Sequence, residues 1–168
     1  FAYNMIALTD RGLQPKLFNL KEILEEFIVH RQEVITRRTV YELRIAEERA
    51  HILEGLKIAL DNIDEVIETI KKSKDRQDAS DKLQKKFKLS ERQAVAILEM
   101  QLQRLSGMER KKLEDELAEK LLLIADLKDI LSKPERVDTI ISDELTEIND
   151  KYGDNRRTEV HNSPLGQF

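Results

Sequence analysis

An apolar repeat with a period of seven residues runs through the first third of the chain for more than four cycles. One column of the repeat holds Leu20, Phe27, Val34, Tyr41 and Glu48, and the other holds Leu24, Arg31, Arg38, Ile45 and Ile52. A helix with this spacing presents one stripe that needs a partner helix along its whole length. At about 1.5 Å per residue, a helix from Leu20 to Ile52 would span roughly 50 Å, too long for the core of a small globule. The repeat therefore predicts one arm of a coiled coil.

A second apolar stripe, late in the chain, supplies the partner for this arm. Its predicted seam residues are Leu113, Leu117, Ile124, Leu127 and Leu131. Their predicted counterparts on the first arm are Leu20, Leu24, Phe27, Val34, Tyr41 and Ile45. Pro134 predicts a helix restart, because proline is tolerated in the first turn of a helix, and the stripe then continues to Tyr152. Two arms of one chain that pair in this way form an antiparallel helical hairpin.

The residues between the two arms predict a small helical head. Gly55 is expected to interrupt the first helix, and Asn62 is placed to cap the next one. Leu83 and Phe87 are expected to anchor a short helix within a polar, basic stretch. A further helix is expected to begin with a capping box of Ser90 and Gln93 and to close at Ser106-Gly107.

The N-terminal residues differ from the rest of the chain. Two short apolar runs, Tyr3 to Leu8 and Leu13 to Phe18, flank the turn signal Asp10-Arg11-Gly12 and predict a short β-hairpin. Asn19 and Glu22 then have the spacing of a capping box that opens the first arm.

Together these patterns predict an all-α fold, a long antiparallel coiled-coil hairpin with a small globular head at its tip and a short N-terminal β-hairpin. Few glycines and prolines and a charged content of 37% agree with long helices. The expected division is a connecting hairpin at 1–18, an outgoing arm at 19–54, a head at 55–108, a returning arm at 109–153 and a polar tail at 154–168. A chain that starts with Phe1 rather than Met is expected to be a fragment of a larger protein.

The sequence holds no pattern that predicts a catalytic, metal or cofactor site. There is no cysteine, no glycine-rich phosphate loop, and the three histidines, His30, His51 and His161, are too scattered for a ligand set and are expected to be solvated or packed. No apolar run approaches the length that a bilayer requires, so no membrane partner is expected. The absence of cysteine suits a reducing cytoplasm, the predicted location.

Two surface features each allow two interpretations. Arg31, Arg37, Arg38, Arg44 and Arg49 form a basic strip on the first arm, which either pairs with acids of the return arm, such as Glu116, Glu119 and Asp126, or guides DNA. A net charge of −4 argues against general attraction to phosphate backbones. The predicted helix from Ser90 to Leu105 is apolar on two faces, with Ala96 and Met100 opposite the stripe of Ala94 and Leu98. Such a helix is either buried on all sides or contacts a partner.

Six separated strings also carry a resemblance to a known family. In chain order they are Asn19-Leu20-Lys21-Glu22-Ile23-Leu24, His30-Arg31 through Thr36-Arg37-Arg38-Thr39, His51-Ile52-Leu53-Glu54-Gly55-Leu56, Asn62-Ile63-Asp64-Glu65-Val66-Ile67, Gln93-Ala94 to Glu109, and Tyr152-Gly153 with Arg156-Arg157-Thr158-Glu159. In this order they resemble the A-subunit family of bacterial type IIA DNA topoisomerases over about residues 1 to 160.

The resemblance implies a coiled-coil arm that ends in a dimerisation head, two of which form the exit gate for a transported DNA duplex. The implied partners are a second copy through the head and, for the parent protein, DNA and a B-type ATPase subunit. The family's nucleophilic tyrosine follows an arginine, whereas Tyr3, Tyr41 and Tyr152 follow Ala2, Val40 and Lys151, so the fragment alone is expected to be inactive. The residues expected to form the contact between heads are Ile97, Met100, Leu105 and Met108, with Leu56 and Leu60 in support.

Overall fold

The computed structural model describes residues 4–9, 12–100 and 107–158. The strands are β1 (Met5–Thr9) and β2 (Gln14–Phe18), and the helices are α1 (Leu20–Asp61), α2 (Ile63–Lys71), α3 (Arg76–Phe87), α4 (Glu91–Glu99), α5 (Gly107–Ser132) and α6 (Pro134–Tyr152). The predicted all-α class with a short N-terminal β-hairpin is confirmed for this part of the chain. The helix restart at Pro134 and the short helix that contains Leu83 and Phe87 are confirmed as well.

The two strands pair antiparallel, in a register that places Met5 opposite Phe18 and Thr9 opposite Gln14. The predicted capping box follows at once, because the backbone N–H of Asn19 donates to Glu22 Oε2 and that of Glu22 donates to Asn19 Oδ1, both at 2.9 Å. These bonds satisfy two backbone N–H donors that the start of a helix leaves without a partner. Asn19 is therefore the N-cap, and α1 begins at the next residue, Leu20.

The chain divides into two compact units. Unit 1 comprises residues 1–32 and 135–168, and unit 2 comprises residues 33–134. In unit 1, Arg31 on α1 forms an ion pair with Glu144 on α6, and Gln32 Nε2 donates to Asp138 Oδ1 at 2.6 Å. Val137 and Ile141 of α6 are buried. Three predicted seam residues of this unit, Leu20, Leu24 and Phe27, are exposed.

In unit 2 the buried stripe of α1 differs from the predicted seam by one position. Val34 is half-buried and Tyr41 and Ile45 are exposed. The residues of α1 that are buried instead are Ile35, Thr39, Ala46, Ala50 and Leu53. Three of these five side chains, Thr39, Ala46 and Ala50, are small.

The burial of the residues on the return helix α5 agrees more closely with the predicted seam. Leu117 and Leu127 are buried, Leu113, Ile124 and Leu131 are half-buried, and the buried Ile130 was not predicted. Leu117 forms one apolar cluster with Ala50 and Leu53 of α1, and Leu113 and Ile124 pack against that cluster.

Gly55 does not interrupt α1, which continues to Asp61. A Cβ at this position would lie 2.6 Å from Gln93 Cγ, so the glycine leaves room for a side chain of α4. The break comes at Asn62, the residue before α2, whose side chain makes no capping bond. Instead, Asn62 Nδ2 donates to Ile58 O at 2.9 Å. The predicted interruption was therefore wrong, because Gly55 serves packing rather than chain reversal.

The core of unit 2 beyond the seam is built from α1 to α4. Its buried members are Ala59, Val66, Leu83, Leu89, Ala94 and Ile97. The helix α4 begins with the predicted capping box, but it ends at Glu99, because Met100 has extended backbone (φ −67, ψ 126). Gly107 begins α5 rather than closing α4, while Leu102, Leu105 and Ser106 lie outside the described residues.

Candidate interaction surface

One side of α4 is not covered by the core of unit 2. A cleft of about 390 Å³ between α1 and α4 is lined by Ile52, Glu91, Arg92, Val95, Ala96 and Glu99. We call this surface the α4 face. Its apolar part, Ile52 with Val95 and Ala96, is half-buried, whereas the charged residues on its rim are exposed. Arg76 holds one rim residue in place, because its Nη2 lies 2.8 Å from Glu99 Oε1.

The capping box fixes where α4 begins. Ser90 Oγ accepts from Gln93 N at 3.3 Å, and Gln93 Oε1 accepts from Ser90 N at 2.9 Å. Ala94 and Ile97 then fall on the buried side of α4, and Val95 and Ala96 fall on the open side. The local sequence therefore sets which face of α4 stays accessible.

The residues predicted to join two heads occupy different environments. Ile97 and Leu60 are buried in unit 2 and have almost no surface to offer a second copy, and Leu56 packs against the core. Met100 is half-buried, Met108 is 71% exposed, and Leu105 lies outside the described residues. Sequence reasoning missed Ile52 and Val95, although the spacing of Val95 from the core residues Ala94 and Ile97 already indicated an outward position.

The basic strip on α1 is largely engaged in ion pairs. Arg31 pairs with Glu144 in unit 1. In unit 2, Arg44 lies 3.1 Å from Glu48 and stacks over the ring of Tyr41, with 5.3 Å between its guanidinium carbon and the ring centroid. Arg37 and Arg38 are exposed on α1. Arg31 thus pairs with an acid of α6 and Arg44 with an acid of its own helix, and both interpretations of the strip stay predictions.

Ion pairs across unit 2 show that α1 and α5 run antiparallel. Glu47 of α1 pairs with Lys128 of α5. Asp61, which is later in α1, pairs with Arg110, which is earlier in α5. Between them, Arg49 makes a bidentate pair with Glu116, one of the acids that the ion-pair interpretation named, with Nε at 2.7 Å and Nη2 at 2.9 Å from its two oxygens. The hydrogen bond between these side chains lowers the pKa of Glu116 and raises that of Arg49.

We expect the pair of Arg49 and Glu116 to contribute about 0.5–1 kcal/mol, since both side chains are partly exposed. A cycle of Arg49→Ala, Glu116→Ala and the double variant, followed by urea unfolding, measures this coupling. Because the pKa of Glu116 is lowered by folding, the contribution is complete above the carboxyl's ordinary pKa and is lost as the pH falls through the lowered value. Coupling that is unchanged between pH 7 and pH 2 would contradict the assignment.

Among the described residues we find neither a cluster of possible metal ligands nor a membrane-spanning helix. No group of three or more histidine and carboxylate side chains in residues 4–9, 12–100 and 107–158 could hold a metal ion. Within the same residues, none of the helices combines the length and the apolar character needed to cross a bilayer.

The described residues thus form a helical module with ion pairs between its helices and a partly uncovered apolar face on α4. Comparison with known proteins gives the family: the model of the A subunits of DNA gyrase and topoisomerase IV matches residues 1–146, and the chain belongs to this family.

The chain is 54% identical over 160 residues to the DNA gyrase A subunit of Streptococcus pneumoniae serotype 4, covering 95% of this chain and 19% of that relative. It is 53% identical over 168 residues to the DNA gyrase A subunit of Staphylococcus aureus strain MRSA252, covering 100% of this chain and 18% of that relative.

A third similar protein matches over the same number of residues as the first. The DNA gyrase A subunit of Leptospira biflexa is 52% identical over 160 residues, with 95% of this chain and 19% of the relative covered. The chain thus spans about a fifth of the length of the curated relatives it matches.

Proposed function

We propose that this chain is the exit-gate dimerisation segment of an ATP-dependent type IIA DNA topoisomerase, of the gyrase A-subunit type. In this role two copies hold the enzyme together while DNA passes through it, and they separate to release the transported duplex. The parent protein would act in the cytoplasm on DNA, together with a B-type ATPase subunit. Family membership over residues 1–146 supports the parent activity.

The observation that carries the gate role is the α4 face. Ile52, Val95 and Ala96 form a half-buried apolar patch at a cleft with an exposed charged rim. Each Å² of apolar surface removed from water contributes roughly 25 cal/mol before the costs of association. A small apolar centre with a charged rim therefore suits a contact that has to open as well as hold. A second copy is the proposed occupant, joined about a twofold axis.

Residues outside the face complete the proposed contact. Met108 is 71% exposed at the start of α5, and Met100 is half-buried directly after α4. We propose 55–108 as the gate head, with arms at 19–54 and 109–153. Residues 1–18 would connect the arm to the rest of the parent, and 154–168 would form a polar tail.

The proposed segment has no catalytic role of its own. Tyr41 lies in the middle of α1 beside Arg44, and Tyr152 is the last residue of α6. DNA cleavage would thus depend on other parts of the parent protein. The equivalent segment of a topoisomerase IV A-type subunit is the alternative, since the matched family covers both enzymes. Membership of this family excludes the remaining alternative, an unrelated helical-hairpin scaffold.

The chain has no cysteine, which permits a direct test by cross-linking single-cysteine variants. We expect Ala96→Cys to form a covalent dimer on oxidation, because two symmetry-related α4 faces would bring these positions together. Leu122→Cys, at an exposed position of α5 outside the face, is the control and should stay monomeric on a denaturing gel. Equal cross-linking of both variants would show that random collisions, not the α4 face, join the copies.

The gate role itself is tested in a longer protein. The Staphylococcus aureus gyrase A subunit, with its matching segment replaced by this chain carrying Ala96→Cys, should supercoil DNA with its B subunit under reducing conditions. Oxidation should stop repeated turnover, because a locked gate retains the transported duplex. Full activity with a cross-linked gate would contradict the exit-gate role while leaving the dimer contact intact.

A further inference from the structure

Arg92, Val95, Ala96 and Glu99 form one stripe along α4. All four line the cleft of the α4 face, as their spacing of three and four positions along a helix requires. Val95 and Ala96, in the middle, are half-buried, whereas Arg92 and Glu99, at the two ends, are exposed. The stripe is therefore apolar at its centre, with a cation near the start of the helix and an anion at its last residue.

Contacts within the chain do not account for the cation of this stripe. Among residues 4–9, 12–100 and 107–158, no acid forms an ion pair with Arg92, whereas Glu99 is paired with Arg76. Arg92 is also the second residue of α4, where the positive end of the helix dipole disfavours a cation. An acid on another molecule would supply the partner that Arg92 lacks in this part of the chain.

A twofold axis can relate two such stripes in two orientations. If the two α4 helices run parallel, each residue faces its own equivalent, so Arg92 opposes Arg92 and Glu99 opposes Glu99. If they run antiparallel, with the axis between Val95 and Ala96, Arg92 of each copy faces Glu99 of the other, because both residues are equally far from the axis. Like charges across a contact repel each other, so the charges of the stripe favour the antiparallel orientation.

We propose that two copies of the chain join through antiparallel α4 helices, with Val95 and Ala96 at the centre and two reciprocal ion pairs between Arg92 and Glu99. This inference rests on the proposed function, because it assumes a contact between copies at the α4 face, and it adds the orientation of that contact. The carboxylate of Glu99 has two oxygens, so it accepts from Arg76 of its own chain and from Arg92 of the second copy together.

Mixed single-cysteine variants test the orientation. Arg92→Cys and Glu99→Cys, combined in equal amounts and oxidised, should form a disulfide between position 92 of one copy and position 99 of the other, identified by mass spectrometry after digestion. Each variant alone should cross-link far less, because its two cysteines would lie about 10 Å apart along the helix axis, beyond the reach of a disulfide. A mixture that cross-links no more than the single variants would overturn the antiparallel orientation.

Charge reversal tests the ion pairs. Arg92→Glu should raise the dissociation constant of the homodimer about tenfold at low salt, because it sets carboxylates against each other twice. Adding Glu99→Arg restores opposite charges and should return the constant to within about threefold of that of the unaltered chain. Lys85→Glu, at an exposed position of α3 that does not line the α4 face, changes the net charge equally and should have no effect. Sedimentation equilibrium measures these constants, and a double variant that dimerises no better than Arg92→Glu would overturn the pairing.

The cross-linking of Ala96→Cys separates this inference from the proposed function. Ala96 lies beside the axis in both orientations, so Ala96→Cys should form a disulfide whenever two α4 faces meet. If it does so while the mixture of Arg92→Cys and Glu99→Cys does not, the contact between copies stands and its antiparallel orientation is wrong. If Ala96→Cys also stays monomeric, the α4 face does not join two copies, and the proposed function loses the observation that carries it.

Discussion

We expect Ala96→Glu to raise the dissociation constant of the homodimer by about a hundredfold. Ala96 is half-buried in the apolar part of the α4 face. In a twofold contact its carboxylate would oppose the carboxylate of the second copy or would be left without a partner away from water. An unpaired charge in such a place costs about 3 kcal/mol, and each 1.4 kcal/mol is roughly a factor of ten in affinity.

The matched control is Leu122→Glu, which makes a similar change at a position that is 73% exposed on α5. Sedimentation equilibrium gives the dissociation constants, and circular dichroism checks that both variants keep the helix content of the unaltered chain. Leu122→Glu should dimerise like the unaltered chain. If Ala96→Glu remains dimeric at the same low micromolar concentration, the contact between copies lies on another surface.

The second large effect concerns the seam of unit 2. We expect Leu53→Ala to lower the free energy of unfolding by about 3 kcal/mol, because it leaves a cavity in a packed cluster. Leu53 is 1% exposed and packs with Ala50 and Leu117. Leu122→Ala removes the same atoms from an exposed position and should cost about 0.5 kcal/mol or less. Urea unfolding at one fixed protein concentration compares the two variants. Equal losses would mean that the assigned seam is not the one that stabilises the unit.

Local signals in the sequence predicted the helix starts well. The capping boxes at Asn19 and Ser90 and the restart at Pro134 depend only on residues within one turn, and all three are found. Gly55 was misinterpreted because its reason lies 38 positions further on, in the side chain of Gln93. A glycine that admits a distant side chain and a glycine that ends a helix look the same in a sequence.

The register of the seam shows a different limit. Apolar residues occupy neighbouring columns of α1, as in Val34 beside Ile35 and Ile45 beside Ala46. A seven-residue period fits either column, so hydrophobic pattern alone favoured the larger side chains. The structure buries the column that contains Thr39. The hydroxyl of Thr39 donates to the carbonyl of Ile35 at 2.9 Å, so this polar group is hydrogen-bonded inside the seam.

The residues of the α4 face were predicted only in part, because periodicity does not show which side of a helix its neighbours cover. The open side of α4 follows from its amphipathic spacing, which placed Ala96 opposite Ala94. Ile97 was assigned to the same surface, but three-dimensional packing puts it in the core with Leu83 and Val66. Which flank of a short helix is covered depends on neighbours that are distant in sequence, and periodicity does not contain that information.

The unbroken course of α1 through Gly55 also determines how unit 2 fluctuates. Leu53 belongs to the cluster with Leu117, and Ala59, less than two turns away, belongs to the core with Leu83. Backbone hydrogen bonds of one helix connect these two positions, so neither cluster can open widely without fraying the helix that supports the other. We therefore expect the amide protons between Leu53 and Ala59 to exchange with solvent as a single cooperative group.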